Sequence, residues 1–163
     1  MAVAGLEDGR LARTIALGVP LALLGGAYLS EYGFGLEPCE MCWWQRYALF
    51  AALPFAVLGW AKPSIKLLTA LALLGVLVGG LIGGYHAGVE YGWWKGLTTC
   101  TSGVSFANGR DPLEALTGAQ MIPCDMVQWD LLGITLAGFN FLISVPLALL
   151  GFAALRPKES KSA

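Results

Sequence analysis

The chain has 163 residues, 56% hydrophobic and 13% charged, with a mean hydropathy of +0.65. That balance excludes an ordinary soluble domain of this length and points to an integral membrane protein forming one compact domain over 1–163. A net charge of −1 and a pI near 5.7 leave no basic surface for nucleic acid.

Residues 1–10 are polar and read as a disordered lead. The first apolar segment, 11–29, opens between Arg10 and Arg13. A cleaved signal peptide is the alternative, but the run is longer than a usual h-region and no small-x-small cleavage site follows, so a retained helix is expected. Pro20 is expected to bend it, and Gly25 and Gly26 to thin it for close packing. A first external loop spans 30–42, with Glu31 and Glu37 and no Lys or Arg. Pro38 restricts Glu37 to extended geometry and opens a helical turn, which puts Cys39 and Cys42 near a helix N-terminus.

The second segment, 43–61, contains Pro54 and ends in the basic turn Lys62-Pro63-Ser64-Ile65-Lys66. The third, 67–87, carries two glycine ladders at four-residue spacing: Gly75, Gly79, Gly83 and Gly80, Gly84, Gly88. Such ladders flatten a helix face and admit a close neighbour, here expected within the bundle rather than in a dimer. His86, the only histidine, follows Tyr85 near the end of this segment. A lone histidine at a helix end is more often an interface hydrogen-bonder than a catalyst.

The second external loop, 88–130, opens with the interfacial aromatics Tyr91, Trp93 and Trp94. Cys100 follows Thr98 and Thr99 in chain expected to be extended. A short peripheral helix is expected at Asp111–Leu116, with Asp111 as N-cap, Pro112 in the first position, and Leu113 and Leu116 against the bilayer. Cys124 lies in Pro123-Cys124-Asp125. The last segment, 131–155, includes Asn140 and Ser144, expected to hydrogen-bond between helices, and precedes Arg156, Lys158 and Lys161.

The fold class is therefore an all-α membrane protein, a four-transmembrane-helix bundle with two external loops. Basic residues flank the termini and the 62–66 turn, so these should be cytoplasmic and both loops external. All four cysteines then lie outside, where disulfides persist.

Cys39-Glu40-Met41-Cys42-Trp43-Trp44-Gln45-Arg46 is the chemical centre of the chain. A Cys-x-x-Cys closes a small ring that opens and closes readily, and Arg46 shares a helix face with Cys42. The helix N-terminus and the Arg46 guanidinium are expected to favour the Cys42 thiolate. The motif alone fits a structural disulfide equally well. Arg46, an ionisable residue at the membrane face, favours function. No metal centre is expected, because Cys100 and Cys124 lack the close spacing of structural zinc sites and no second histidine exists.

Taken together, the Cys39–Arg46 run, Tyr85-His86, the later cysteines Cys100 and Cys124, and the Cys-Asp-x-x-x-Trp-Asp-Leu-Leu-Gly run from Cys124 to Gly133 resemble the DsbB family of bacterial disulfide-forming membrane oxidases. Vitamin-K-epoxide-reductase-like proteins place their Cys-x-x-Cys after the loop pair, whereas here it comes first. The resemblance implies a bacterial inner-membrane protein in which a Cys100–Cys124 disulfide oxidises a DsbA-like periplasmic thioredoxin-fold partner. Cys124 would then exchange with Cys39, freeing Cys42 toward a membrane quinone, ubiquinone or menaquinone. Arg46, His86 and Gln45 would bind the quinone, and Trp43, Trp44 and Tyr47 would line an apolar approach to it, although interfacial anchoring explains these aromatics as well. Two other readings stand beside this one: a membrane scaffold with two structural disulfides and no turnover, and a thiol transporter, which lacks the cysteines it would need within the helices.

Overall fold

The computed structural model describes residues 2–97 and 122–156, with side chains from residue 9 onward. Four helices and one small hairpin make up the described chain: α1 Ala2–Phe34, α2 Glu40–Ala61, α3 Lys66–Glu90, β1 Asp130–Leu131, β2 Ile134–Thr135 and α4 Leu136–Leu155. Three stretches, Gly9–Phe34, Lys66–Glu90 and Leu136–Leu155, are long and apolar enough to cross a membrane. The chain is a helical membrane protein. The helix α2 is long enough, at 22 residues, but its first two turns hold Glu40, Gln45 and Arg46, which dilute its apolarity.

Helix α3 is the centre of the bundle. Its first glycine ladder faces α2: a Cβ on Gly75 would stand 2.9 Å from Cβ of Ala52 and 3.1 Å from the Ala48 carbonyl. Its second faces α4 at Gly80 and Gly84, where a Cβ on Gly80 would stand 2.6 Å from Cβ of Ser144, whereas Gly88 faces Trp94. Gly83 serves both neighbours. A Cβ there would meet the Ala137 carbonyl at 2.9 Å, and both Asn140 Nδ2 and Gln45 Oε1 at 3.1 Å. The ladders thus act inside the bundle, as expected. Between lipid-facing helices apolar surface gives no net driving force, so this closeness supplies the dispersion contact that binds them. Ala16, Leu49, Ala52, Leu73, Val76 and Ala148 fill the apolar end of the core.

The helix ends differ from the apolar segments. Helix α1 starts at Ala2 and ends at Phe34, not at 11 and 29. Hydropathy marks the part of a helix suited to lipid, whereas polar residues such as Glu7 and Arg10 extend a helix without difficulty. Gly35, in the left-handed region at φ 69, ends it, and its N–H bonds the Glu31 carbonyl at 3.0 Å. Pro20 lies within α1. Gly25 and Gly26 meet nothing within 4 Å, so the close packing expected of them does not occur. They lie on a face of α1 that is exposed.

The last helix starts at Leu136, five residues later than the apolar run at 131. The hairpin comes first, pairing Asp130 with Thr135 and Leu131 with Ile134. Its two turn residues, Leu132 (φ 55) and Gly133 (φ 78), both have positive φ, the requirement of a tight hairpin turn. The Tyr91 hydroxyl pins this turn, donating to the Gly133 carbonyl (2.8 Å) and accepting from the Thr135 N–H (3.1 Å). Thr135 then caps α4 through the Gly138 N–H. Cys100 and the expected peripheral helix at 111–116 lie outside the described residues.

Candidate redox site

The site starts where α2 starts. Cys39 is the N-cap, with extended backbone (φ −74, ψ 174), and its Sγ accepts the Cys42 N–H at 3.3 Å. A sulfur thus takes the place that a Ser or Asp oxygen usually holds, meeting one of the unpaired N–H groups at the positive end of the helix. The Cys39 and Cys42 sulfurs share a hydrogen bond at 3.0 Å. Both are free thiols. Cys39 already accepts a backbone N–H, so the Cys42 thiol is the donor when Cys39 is ionised. That thiol and then the backbone N–H groups of Cys42 and Met41 hold the Cys39 pKa below its ordinary 9.0, against burial and the Glu90 carboxylate, which push it up. The stabilised thiolate is therefore Cys39. The expectation from sequence was Cys42, but the first cysteine of the motif lies on the cap, and Cys42 lies within the first turn.

His86 reaches this pair from α3. It is 2% exposed. Its Nε2 lies 3.5 Å from Cys39 Sγ and 3.2 Å from the Cys124 carbonyl, and its Nδ1 lies 3.0 Å from Gln45 Nε2. Glu90, one turn on, brings a carboxylate to 3.8 Å from Nε2. The two sulfurs and one His86 nitrogen lie within 4.8 Å of one another, a grouping that could hold a metal ion. The absence of a metal centre is expected from the wide spacing of Cys100 and Cys124 and the lack of a second histidine, but the grouping in the fold uses Cys39, Cys42 and the single His86 instead. Folding brings His86 beside these two cysteines.

Gln45 continues inward. Its Nε2 bonds the Met41 carbonyl at 3.2 Å, and its Oε1 accepts from Asn140 Nδ2 at 2.7 Å. Asn140 Nδ2 also bonds the Gly79 carbonyl at 3.1 Å, and the Ser144 hydroxyl donates to Asn140 Oδ1 at 2.8 Å. Asn140 does bond between helices, as read from the sequence, whereas the Ser144 bond stays within α4 and reaches the other helices only through Asn140. Their connection to the cysteines could not be read from it.

Arg46 points the other way, since adjacent helical residues project about 100° apart. It is 6% exposed, forms an ion pair with Glu31, bonds the Ala27 carbonyl at 3.3 Å, and lies over the rings of Tyr28 (4.9 Å) and Trp43 (5.0 Å). Its charge is met by Glu31 rather than directed at a sulfur. For the thiols, His86 replaces Arg46 as the neighbouring polar group. Glu31, Tyr28 and Asn140 are site residues that sequence reasoning did not select. The only signal for Glu31 was an acid in a short loop.

Cys124 completes the site. It is 1% exposed, disulfide-bonded, and packed in one apolar cluster with Cys39, Met41 and Val89. Gln128 ties this second loop to the first by donating to the Glu37 carbonyl at 2.7 Å.

A helical membrane protein with a thiol pair capping one helix, beside a buried disulfide cysteine from another loop, is a membrane thiol–disulfide protein. The chain belongs to the DsbB family, whose model, Disulfide bond formation protein DsbB, matches residues 9–154. It is 30% identical over 152 residues to Disulfide bond formation protein B of Polaromonas sp. (strain JS666), covering 90% of this chain and 89% of that one. It is 32% identical over 140 residues to the protein of that name from Xylella fastidiosa (strain Temecula1), covering 79% of each. No solved structure matches significantly. Disulfide-bond formation, and with it an oxidoreductase role, is the function of the family to which the chain belongs.

Proposed function

We propose that this protein is a thiol:quinone oxidoreductase that reoxidises a DsbA-like periplasmic thioredoxin-fold protein. The partner thiolate attacks Cys100 of a Cys100–Cys124 disulfide, and Cys124 leaves as a thiolate. Cys124 attacks Cys39 of the oxidised Cys39–Cys42 pair, and Cys42 leaves. The partner's second thiol displaces Cys100, leaving the partner oxidised. Cys100 then displaces Cys39 from Cys124. The Cys100–Cys124 bond is restored, and two electrons and two protons rest on Cys39 and Cys42. A bound ubiquinone or menaquinone, held by Arg46, would supply the acceptor for those two electrons and two protons.

The observation that carries this reading is that Cys124 and Cys39 share one buried cluster, with His86 Nε2 reaching both residues. Exchange needs a thiolate beside the sulfur it attacks and a good leaving group. The cap and the His86 contact supply a stabilised thiolate at Cys39. On the other face of α2, Arg46 with Tyr28 and Trp43 suits a flat apolar ring bearing carbonyl oxygens. The guanidinium has N–H groups to spare, and the exposed aromatics Tyr32, Tyr47 and Phe50 give lipid-side access. Purified protein given a reduced thioredoxin-like partner should reduce quinone. Intact disulfides without quinone reduction would leave a structural scaffold instead.

The same reading has four membrane spans in a bacterial inner membrane, both termini cytoplasmic and both loops periplasmic. Helix α2, 22 residues long, measures about 33 Å, enough to span the hydrocarbon layer. Reporter fusions at Lys62 and Asn108 should lie on opposite sides, and one shared side would refute the arrangement.

A further inference from the structure

The polar residues behind the thiol pair lie on three helices and meet in one line. We infer that Ser144, Asn140 and Gln45 form a one-way hydrogen-bond chain that holds His86 with its proton on Nε2, aimed at Cys39 and the Cys124 carbonyl, so that Asn140 and Ser144 are positioning residues for the redox pair.

The direction follows from groups that can only accept. The Met41 carbonyl is 3.2 Å from one end of the Gln45 amide, so that end is the N–H₂. The same nitrogen lies 3.0 Å from His86 Nδ1, which must therefore be bare. The Gln45 oxygen then faces Asn140, which must donate. The Gly79 carbonyl, 3.1 Å from Asn140 Nδ2, requires the same orientation independently. Asn140 Oδ1 is left to accept from Ser144. A neutral imidazole with a bare Nδ1 carries its proton on Nε2. At that end the Cys124 carbonyl, another pure acceptor, lies at 3.2 Å. Both ends of the chain demand the same tautomer.

The chain crosses α3 only because Gly83 has no side chain. A Cβ there would stand 3.1 Å from both Gln45 Oε1 and Asn140 Nδ2. The glycine is a window through which α2 and α4 touch.

The tautomer decides between two uses of the Cys39–Cys42–His86 grouping. A metal ion needs the Nε2 lone pair, whereas a thiolate needs an N–H. The chain offers the N–H. Only the use of that N–H rests on the oxidase reading. Its direction does not.

His86 is the only histidine in the chain. ¹⁵N-histidine labelling of the reduced full-length protein in detergent therefore gives one pair of ring nitrogens. The expected spectrum has Nε2 protonated and Nδ1 bare. Asn140→Leu should mix the tautomers and slow alkylation of Cys39 about tenfold, the scale of one hydrogen bond to a charged group. Ser144→Ala, which removes only a hydroxyl, should move both readouts the same way by about twofold, and it serves if the leucine variant does not fold. Zinc added to the reduced protein should leave the His86 resonances in place. A proton on Nδ1, a metal-bound Nε2, or unchanged tautomer and alkylation in the variants would overturn the inference. Failure to reduce quinone with the Nε2 proton in place would count against the oxidase reading alone.

Discussion

The two ends of the bundle are held by different forces. At the end built on Ala16, Leu49, Ala52, Leu73 and Ala148, contact is apolar and depends on small residues that let helices approach. At the cysteine end the contacts are directed: Gln45, Arg46, His86, Thr135, Asn140 and Ser144 are all buried there. Among described residues only Thr69 is a buried polar side chain at the other end. Apolar packing in lipid specifies closeness but little else, since the tails are as apolar as the helices. Directed bonds specify orientation, and this end needs it, because a thiol pair reacts only along defined lines. The apolar end should therefore answer substitution in stability, and the polar end in chemistry.

The largest test is Cys39→Ser, which should abolish quinone reduction by the purified protein while thermal unfolding stays near wild type, because serine is also a good N-cap. Residual turnover would remove the cap thiol from the proposed path. Next is Arg46→Lys. Lysine keeps the charge but loses the planar fork that meets Glu31 and Ala27 between two rings. A directed donor lost from a developing charge costs about 2.7–4 kcal/mol, and the low end, about a hundredfold, is expected here as a lowered kcat/KM for quinone. Unchanged steady-state kinetics would make Arg46 an anchor of α1. Gly75→Val tests the apolar end. Ala52 and Ala48 stand too close for a side chain, so overpacking should cost about 1–3 kcal/mol in denaturation, with turnover per folded molecule unchanged. A selective loss of turnover would erase the contrast between the ends.

The smallest effect concerns pH. Cys42→Ala removes the foremost cause of the lowered Cys39 pKa, so the pH midpoint of Cys39 alkylation should rise toward 9.0. In the reduced wild type, lowering of this thiol's pKa on folding contributes stability that is present above the unfolded value. That stability is lost as pH falls through the folded value, so the window lies below 9.0. An unmoved midpoint would mean that the helix end alone holds the thiolate.

Much of this was legible from local pattern. The cysteine motif after Pro38 marked a helix start, and the glycine ladders marked the packing faces of α3. What sequence could not supply was partnership across the chain. His86 looked isolated because Cys39 and Gln45 lie 47 and 41 residues before it. Arg46 looked like the thiols' cation because its true counterion, Glu31, lies on another helix. The hairpin escaped because Leu131 and Leu132 continue an apolar run, and only the positive φ of Leu132 reveals the turn. Helix α2 read as one apolar span from Trp43, while the residues ahead of it that carry the chemistry are also its first turn.

Burial of Cys39 and Cys124 in one cluster has a further effect, best put in terms of insulation. With 4% and 1% of their surface exposed, both residues meet a dissolved small thiol only slowly, because exchange requires an open approach to sulfur. Between themselves they need no such approach. In the proposed scheme the current thus runs through a sheathed contact, and a soluble reductant that could short-circuit it is slowed at the sheath.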